Sequence, residues 1–206
     1  MGGMKTLWTV PLVLGMFCMA NVACTADTGE DTTGGASDGD ENKEVSEDEL
    51  RSSLYTGSAL PAKTLAWTVD DGPNGSTVEI AKYLAEQGVP ATFFVLGRQV
   101  TGTSTRDSWV AKGKPGVTAA MKTVLDTVVG LPVKRSNLHH LIASHTFTHG
   151  DPMVSLATAT RQGEMRDAMT LIEPWLEGRM RLVRTPYGSW SSNVFKDLSA
   201  VSGSST

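Results

Sequence analysis

Residues 64 to 184 predict an α/β fold built on a parallel sheet or barrel. Short β-prone runs alternate with stretches of helical periodicity, as strand-helix-strand units require. The strand-like runs end in turn formers or titratable residues, where sites of such folds lie. Both cysteines, Cys18 and Cys24, fall in the first 24 residues, so the domain holds neither disulfides nor thiolate ligands, and any metal must use His, Asp or Glu.

Each element has its own signal. Thr64-Leu65-Ala66-Trp67-Thr68-Val69 is a β-prone run stopped by the turn formers Asp70-Asp71-Gly72-Pro73-Asn74-Gly75. Ser76 and Glu79 form an S-x-x-E capping box, and Val78, Ala81, Leu84 and Ala85 give the helix one apolar face until Gly88 and Pro90 stop it. Ala91 to Leu96 is a second strand closed by Gly97. Residues 98 to 116 carry little pattern. Val117, Met121, Val124, Leu125, Val128 and Val129 then recur at helical spacing. Leu138 to Ser144 reads as a strand, Glu164 to Leu176 as a helix with Met165, Ala168, Met169 and Ile172 inward, and Met180 to Arg184 as a last strand. After Gly188 there remain Ser189 to Thr206, ending in a Ser-rich tail.

The 206 residues carry a net charge of −4, which excludes a composition made for nucleic acid. That mean hides a split. Residues 25 to 49 hold ten acids and one lysine, a net −9, whereas residues 50 to 206 carry +4. The acidic stretch has almost nothing to bury and reads as a disordered linker over 25–58. Before it, Lys5 and the apolar run Leu7 to Ala20 read as an export signal over 1–24. Asn21-Val22-Ala23-Cys24 resembles the lipobox of bacterial lipoproteins, with Asn21 where an aliphatic residue is usual. A lipid on Cys24 and simple secretion both stay open, and both place the domain of 59–206 outside the cytoplasm.

Asp70 and Asp71 follow the first strand, His145 and His149 the third, and Arg184 closes the last. Each pattern alone is common in ordinary turns; together they converge on one end of the sheet. A four-residue spacing lets His145 and His149 share a cation, and Asp71 would complete a set that leaves positions open for water and substrate. His139 and His140 read as structural or surface residues, Trp67, Phe93 and Phe94 as core, and Trp190 as the aromatic best placed to stack on a sugar.

These residues resemble the NodB-type polysaccharide deacetylases, carbohydrate esterase family 4. The likeness runs from Leu65 to Gly188 through Thr68-Val69-Asp70-Asp71-Gly72-Pro73, Ala91 to Gly97, His145-Thr146-Phe147-Thr148-His149 and Arg184-Thr185-Pro186-Tyr187-Gly188. It implies a distorted (β/α) barrel and a hydrolase that removes N- or O-linked acetyl groups from a polysaccharide such as chitin-like or peptidoglycan chains. It also implies that Asp71, His145 and His149 bind a divalent metal, zinc by expectation, that Asp70 is the general base beside Arg184, and that the Tyr187 N–H stabilises the oxyanion. The family's last motifs, an Asp/Trp pair and a Leu-x-His that supplies a general acid, have no counterpart after Gly188, so the domain reads as shortened at its C-terminal end. A metal- or glycan-binding surface protein and an inactive fragment stay open as alternatives. A glycosidase acid pair made of Asp70 and Asp71 is disfavoured, because neighbouring carboxylates do not easily span the roughly 5 to 9 Å that such chemistry needs and the histidines would go unexplained.

Overall fold

A computed structural model describes residues 62–177 and 181–202. The export signal, Cys24 and the acidic linker lie outside the described residues. Three parallel strands, β1 (Trp67–Gly72), β2 (Ala91–Val95) and β3 (Leu141–Ser144), lie in the order β1-β2-β3. Helix α1 (Thr77–Gln87) connects the first pair. Helices α2 (Gly97–Thr101), α3 (Arg106–Ala111) and α4 (Ala119–Gly130) connect the second, and α5 (Thr158–Ile172) and α6 (Ser192–Ser202) follow. This is the α/β class with a parallel sheet that the alternation predicts.

Register explains why one face of the sheet is the core. Val69 pairs with Phe93 and Phe93 with Ile142, so these three share a face, since side chains alternate along a strand. Val95 joins them two residues on. That face packs on Ala81 and Leu84 of α1, Val100 of α2, Leu125 and Val128 of α4 and Ile172 of α5. Each such burial contributes about 1.5–3 kcal/mol for a large aliphatic or aromatic side chain. The opposite face carries Thr68, Thr92, Phe94 and Ala143. Arg184 lies on this side, with its guanidinium carbon 4.4 Å from the Phe94 ring centre. It belongs to the segment beyond β3 yet reaches Thr68 on β1, so the sheet curls as a barrel wall does.

Several elements depart from the pattern-based reading. The first strand begins at Trp67 and runs on through Asp70, Asp71 and Gly72, so the two acids lie within it, and Trp67, expected in the core, is 48% exposed. The Ser76–Glu79 capping box does not form: Ser76 makes no side-chain cap bond. Instead the Ser76 N–H donates to Asn74 Oδ1 (3.0 Å) and the Asn74 N–H to Thr77 Oγ1 (2.8 Å), an Asx-type turn that satisfies the Ser76 N–H, one of the two donors a capping box would cover. α1 ends as expected at Gly88, whose φ of 77° requires a residue without a Cβ. α5 starts six residues earlier than its apolar face suggests, at Thr158. Thr158, Ala159 and Thr160 are exposed, and burial begins at polar Arg161, which pairs with Asp197 of α6. The expected strand over 180–184 is reduced to one parallel bridge, Ser144 to Val183, and Met180 lies outside the described residues. The stretch after Gly188, to which the pattern assigns no element, contains α6, which buries Val194, Leu198 and Val201 against Met153, Met165 and Met169. No helix among the described residues is long and apolar enough to cross a membrane.

Candidate metal centre and catalytic site

Two adjacent aspartates would normally project to opposite faces of a strand. Here the register of β1 against β2 shifts between Val69 and Gly72, and Asp71 takes a left-handed conformation at φ 66°. Such an irregularity re-aims side chains at a strand end, and the two carboxylates go to different partners. Asp70 accepts two hydrogen bonds from Arg184 Nη1, at 2.9 and 3.1 Å. Asp71 Oδ1 lies 3.6 Å from His145 Nε2 and 3.5 Å from His149 Nε2.

The histidines arrive from the end of β3. The His145 N–H donates to Val95 O at 2.8 Å, which extends the ladder by one residue. His145 is then buried, and its Nδ1 lies 2.8 Å from the Arg184 carbonyl. That carbonyl can only accept, so Nδ1 carries the proton and the Nε2 lone pair faces Asp71. His149 is carried back by left-handed residues at Thr146 (φ 70°) and at His149 itself (φ 54°). The two imidazoles meet edge to face at 4.9 Å, and one ligand atom from each of Asp71, His145 and His149 lies within 4.8 Å of the others. Two neutral imidazole nitrogens and one carboxylate oxygen suit a divalent cation of intermediate softness, and the Nδ1–H bond of His145 is the outer contact such ligands usually make. The three residues fit a divalent metal.

Arg184 works at both ends. Its side chain holds Asp70 and Thr68 (2.8 Å to Oγ1), and its carbonyl orients His145. Thr68 and Phe94, which cradle the guanidinium, were not singled out as site residues in the sequence; the only available signal was that alternation places them on one face. Thr185 is extended (φ −78°, ψ 140°), as a residue before proline must be. It leads into a short 3₁₀ turn, Pro186–Gly188, in which Tyr187 stands at φ 59°. The Tyr187 ring is exposed and lies edge-on to His149 at 4.8 Å. Trp190 is half-buried and packs near Phe195 at 6.1 Å.

The remaining histidines are placed apart from this cluster. His139 is exposed and pairs with Glu177 at 2.9 Å. His140 is buried: the Ala91 N–H donates to its Nδ1 at 3.1 Å, and its Nε2–H donates to Ala81 O at 2.9 Å. Burial pushes its pKa below the ordinary imidazole value, against the opposing effect of those two backbone contacts.

Comparison with known proteins identifies the family. The family model described as polysaccharide deacetylase matches residues 57–202. A chitooligosaccharide deacetylase of Sinorhizobium fredii is 32% identical over 154 residues, which is 71% of this chain and 56% of that protein. Another, from Rhizobium leguminosarum bv. phaseoli, is 31% identical over 137 residues, covering 65% of this chain and 48% of its own. Among solved structures, a family 4 carbohydrate esterase from Streptomyces lividans in complex with acetate is 22% identical, with a TM-score of 0.48, over 67% of this chain and 58% of that one. The chain spans about half the length of the curated relatives it matches. It belongs to the polysaccharide deacetylase family.

Proposed function

We propose that this chain is a metal-dependent hydrolase that removes acetyl groups from an acetylated polysaccharide of the chitin or peptidoglycan type. One observation carries the reading: Asp71, His145 and His149 converge within 4.8 Å next to an aspartate held by Arg184, in a member of this family. Asp71, His145 and His149 would hold a divalent cation, with zinc the best match to a His-His-Asp set. Such a cation, when bound, polarises an acyl oxygen and makes water more acidic.

The chain's own residues supply the rest. Asp70, held at both oxygens by one guanidinium nitrogen, accepts the proton of the attacking water. The oxygen of that water bonds to the acetyl carbon, the bond from that carbon to the sugar's nitrogen or oxygen breaks, and acetate leaves. The leaving atom takes up a proton to give a free amine or hydroxyl. Tyr187, turned by its left-handed backbone, offers its N–H as a donor to the developing oxyanion. Arg184 holds the Asp70 carboxylate in place through its guanidinium and keeps the His145 ring in register through its carbonyl.

The test is acetate release from N-acetylated chitooligosaccharides and from peptidoglycan by the zinc-loaded chain. Asp70→Asn is expected to reduce release by about 10²- to 10⁴-fold while zinc binding is retained. Unchanged release in Asp70→Asn overturns the reading. Glycan binding by the wild type without any release assigns the chain to the non-catalytic alternative. The export signal over 1–24, the acidic linker over 25–58 and the possible lipid on Cys24 support an extracytoplasmic location, where such polymers lie.

A further inference from the structure

His145 and His149 converge on Asp71 only if the three residues between them keep an uncommon backbone path. Thr146 and His149 both have left-handed φ, 70° and 54°, a conformation that is unfavourable for such residues and persists only where the surroundings over-determine it. The surroundings are two helices. From α2, the Gly97 N–H donates to Thr146 O (3.1 Å) and the Arg98 N–H to Phe147 O (2.8 Å). From α5, a single carboxylate oxygen, Glu164 Oε2, accepts from the Phe147 N–H (3.1 Å), the Thr148 N–H (2.8 Å) and the Thr148 hydroxyl (3.0 Å).

Glu164 is 5% exposed. A carboxylate at that depth is costly unless donors converge on it, and here three do, all from the two residues that separate the strained positions. The Phe147 ring, fully buried 5.0 Å from Trp109, fixes the middle of the loop from below. Glu164 therefore stands where it can set the direction in which the loop delivers both imidazoles, without touching either.

We propose that Glu164 is a positioning residue for the metal centre: it pins the loop between His145 and His149 so that both Nε2 atoms face Asp71. The role rests on the functional reading given above, because it requires that the three residues bind a cation.

Zinc chloride titrated into the metal-free full chain, followed by calorimetry, tests it, with the absorption spectrum of the cobalt-loaded protein as a second readout. Glu164→Ala is expected to weaken zinc binding by about 10- to 100-fold and to change the cobalt spectrum, on protein that still unfolds cooperatively. Glu164→Gln, whose amide oxygen can still accept these bonds, is expected to recover wild-type affinity to within about threefold. If Glu164→Ala does not fold, Thr148→Val decides, since it removes one of the three donors and leaves the carboxylate. It is expected to weaken zinc binding about threefold or more at an unchanged unfolding midpoint. Wild-type affinity and cobalt spectrum in Glu164→Ala, or wild-type affinity in Thr148→Val where that variant decides, overturn the role alone. No zinc binding by the wild type overturns the functional reading and the role with it.

Discussion

Burial governs His140 more than its sequence neighbourhood does. The residue adjoins exposed His139, yet it is 1% exposed and joins the start of β2 to α1 through both ring nitrogens. Its pKa in the folded chain lies below the ordinary value of 6.5, which fixes the sign of a pH effect. Above pH 6.5 neither state is protonated there and the contribution of His140 to stability is fully present. As the pH falls below that value, the unfolded chain takes up the proton first, and stability is lost until the folded pKa is reached. Urea unfolding between about pH 7.5 and pH 5 is expected to show this loss, with a shallower dependence in His140→Gln. An equal slope in that variant would assign the effect to other groups. The sequence reads His139 and His140 as structural or surface residues, because they lie in a predicted strand whose alternation sends neighbours to opposite faces. It did not tell which of the two is buried, since that depends on α1 supplying the Ala81 carbonyl 59 positions earlier in the chain.

At the scale of elements, legibility followed local signal. β2, α1 and α4 were readable because their apolar residues recur at the right period and Gly88 or a run of turn formers bounds them. α6 shows the opposite case. The pattern assigned it no element, although Val194, Leu198 and Val201 stand at helical spacing and are buried. What secures it is tertiary: Asp197 binds Arg161 and Gln162 of α5, while Arg161 also donates to the Met153 and Leu156 carbonyls just after the His149 loop. Both charges of the Arg161–Asp197 pair are buried, and removing one partner leaves the other unpaired in a poor solvent for charge. Asp197→Ala is expected to cost about 3–5 kcal/mol in equilibrium unfolding, well above the usual effect of a surface Asp→Ala change. A cost within about 0.5 kcal/mol would show that α6 contributes little to the domain. The first turns of α5 were illegible for the same reason, since Arg161 and Gly163 read as solvent-facing until the side chains of Asp197 and Arg106 are placed against them.

For the whole molecule, the charge pattern and the leader concern where the domain works, whereas the curled sheet concerns what it does. Residues 50–206, at +4, follow a stretch over 25–49 at −9, and the proposed role of that stretch is a solvated tether. If Cys24 carries lipid, the chain expressed in a bacterium sediments with membranes and Cys24→Ser moves it to the soluble fraction. Recovery of both proteins in the soluble fraction would leave plain secretion. The barrel that the family resemblance implies was legible as strand order and helix alternation. Its closure is not seen among the described residues, where β1 forms one edge of the sheet with Leu65 and Trp67 exposed beside it.

Asp71, Thr146, His149 and Tyr187, all at positive φ, stand at the strand ends that form the centre, and Thr146 also buries a hydroxyl with no hydrogen-bond partner among the described residues. Other parts of the fold, such as α1 and β2, lie close to ordinary backbone geometry and offer little to relax. Lys63, Lys114 and Arg135 share the left-handed backbone away from the centre and can be relieved there at no cost to it, whereas at the residues that deliver the ligands a glycine would relieve the backbone and loosen the centre in the same step. Robustness and function compete here for the same few peptide units.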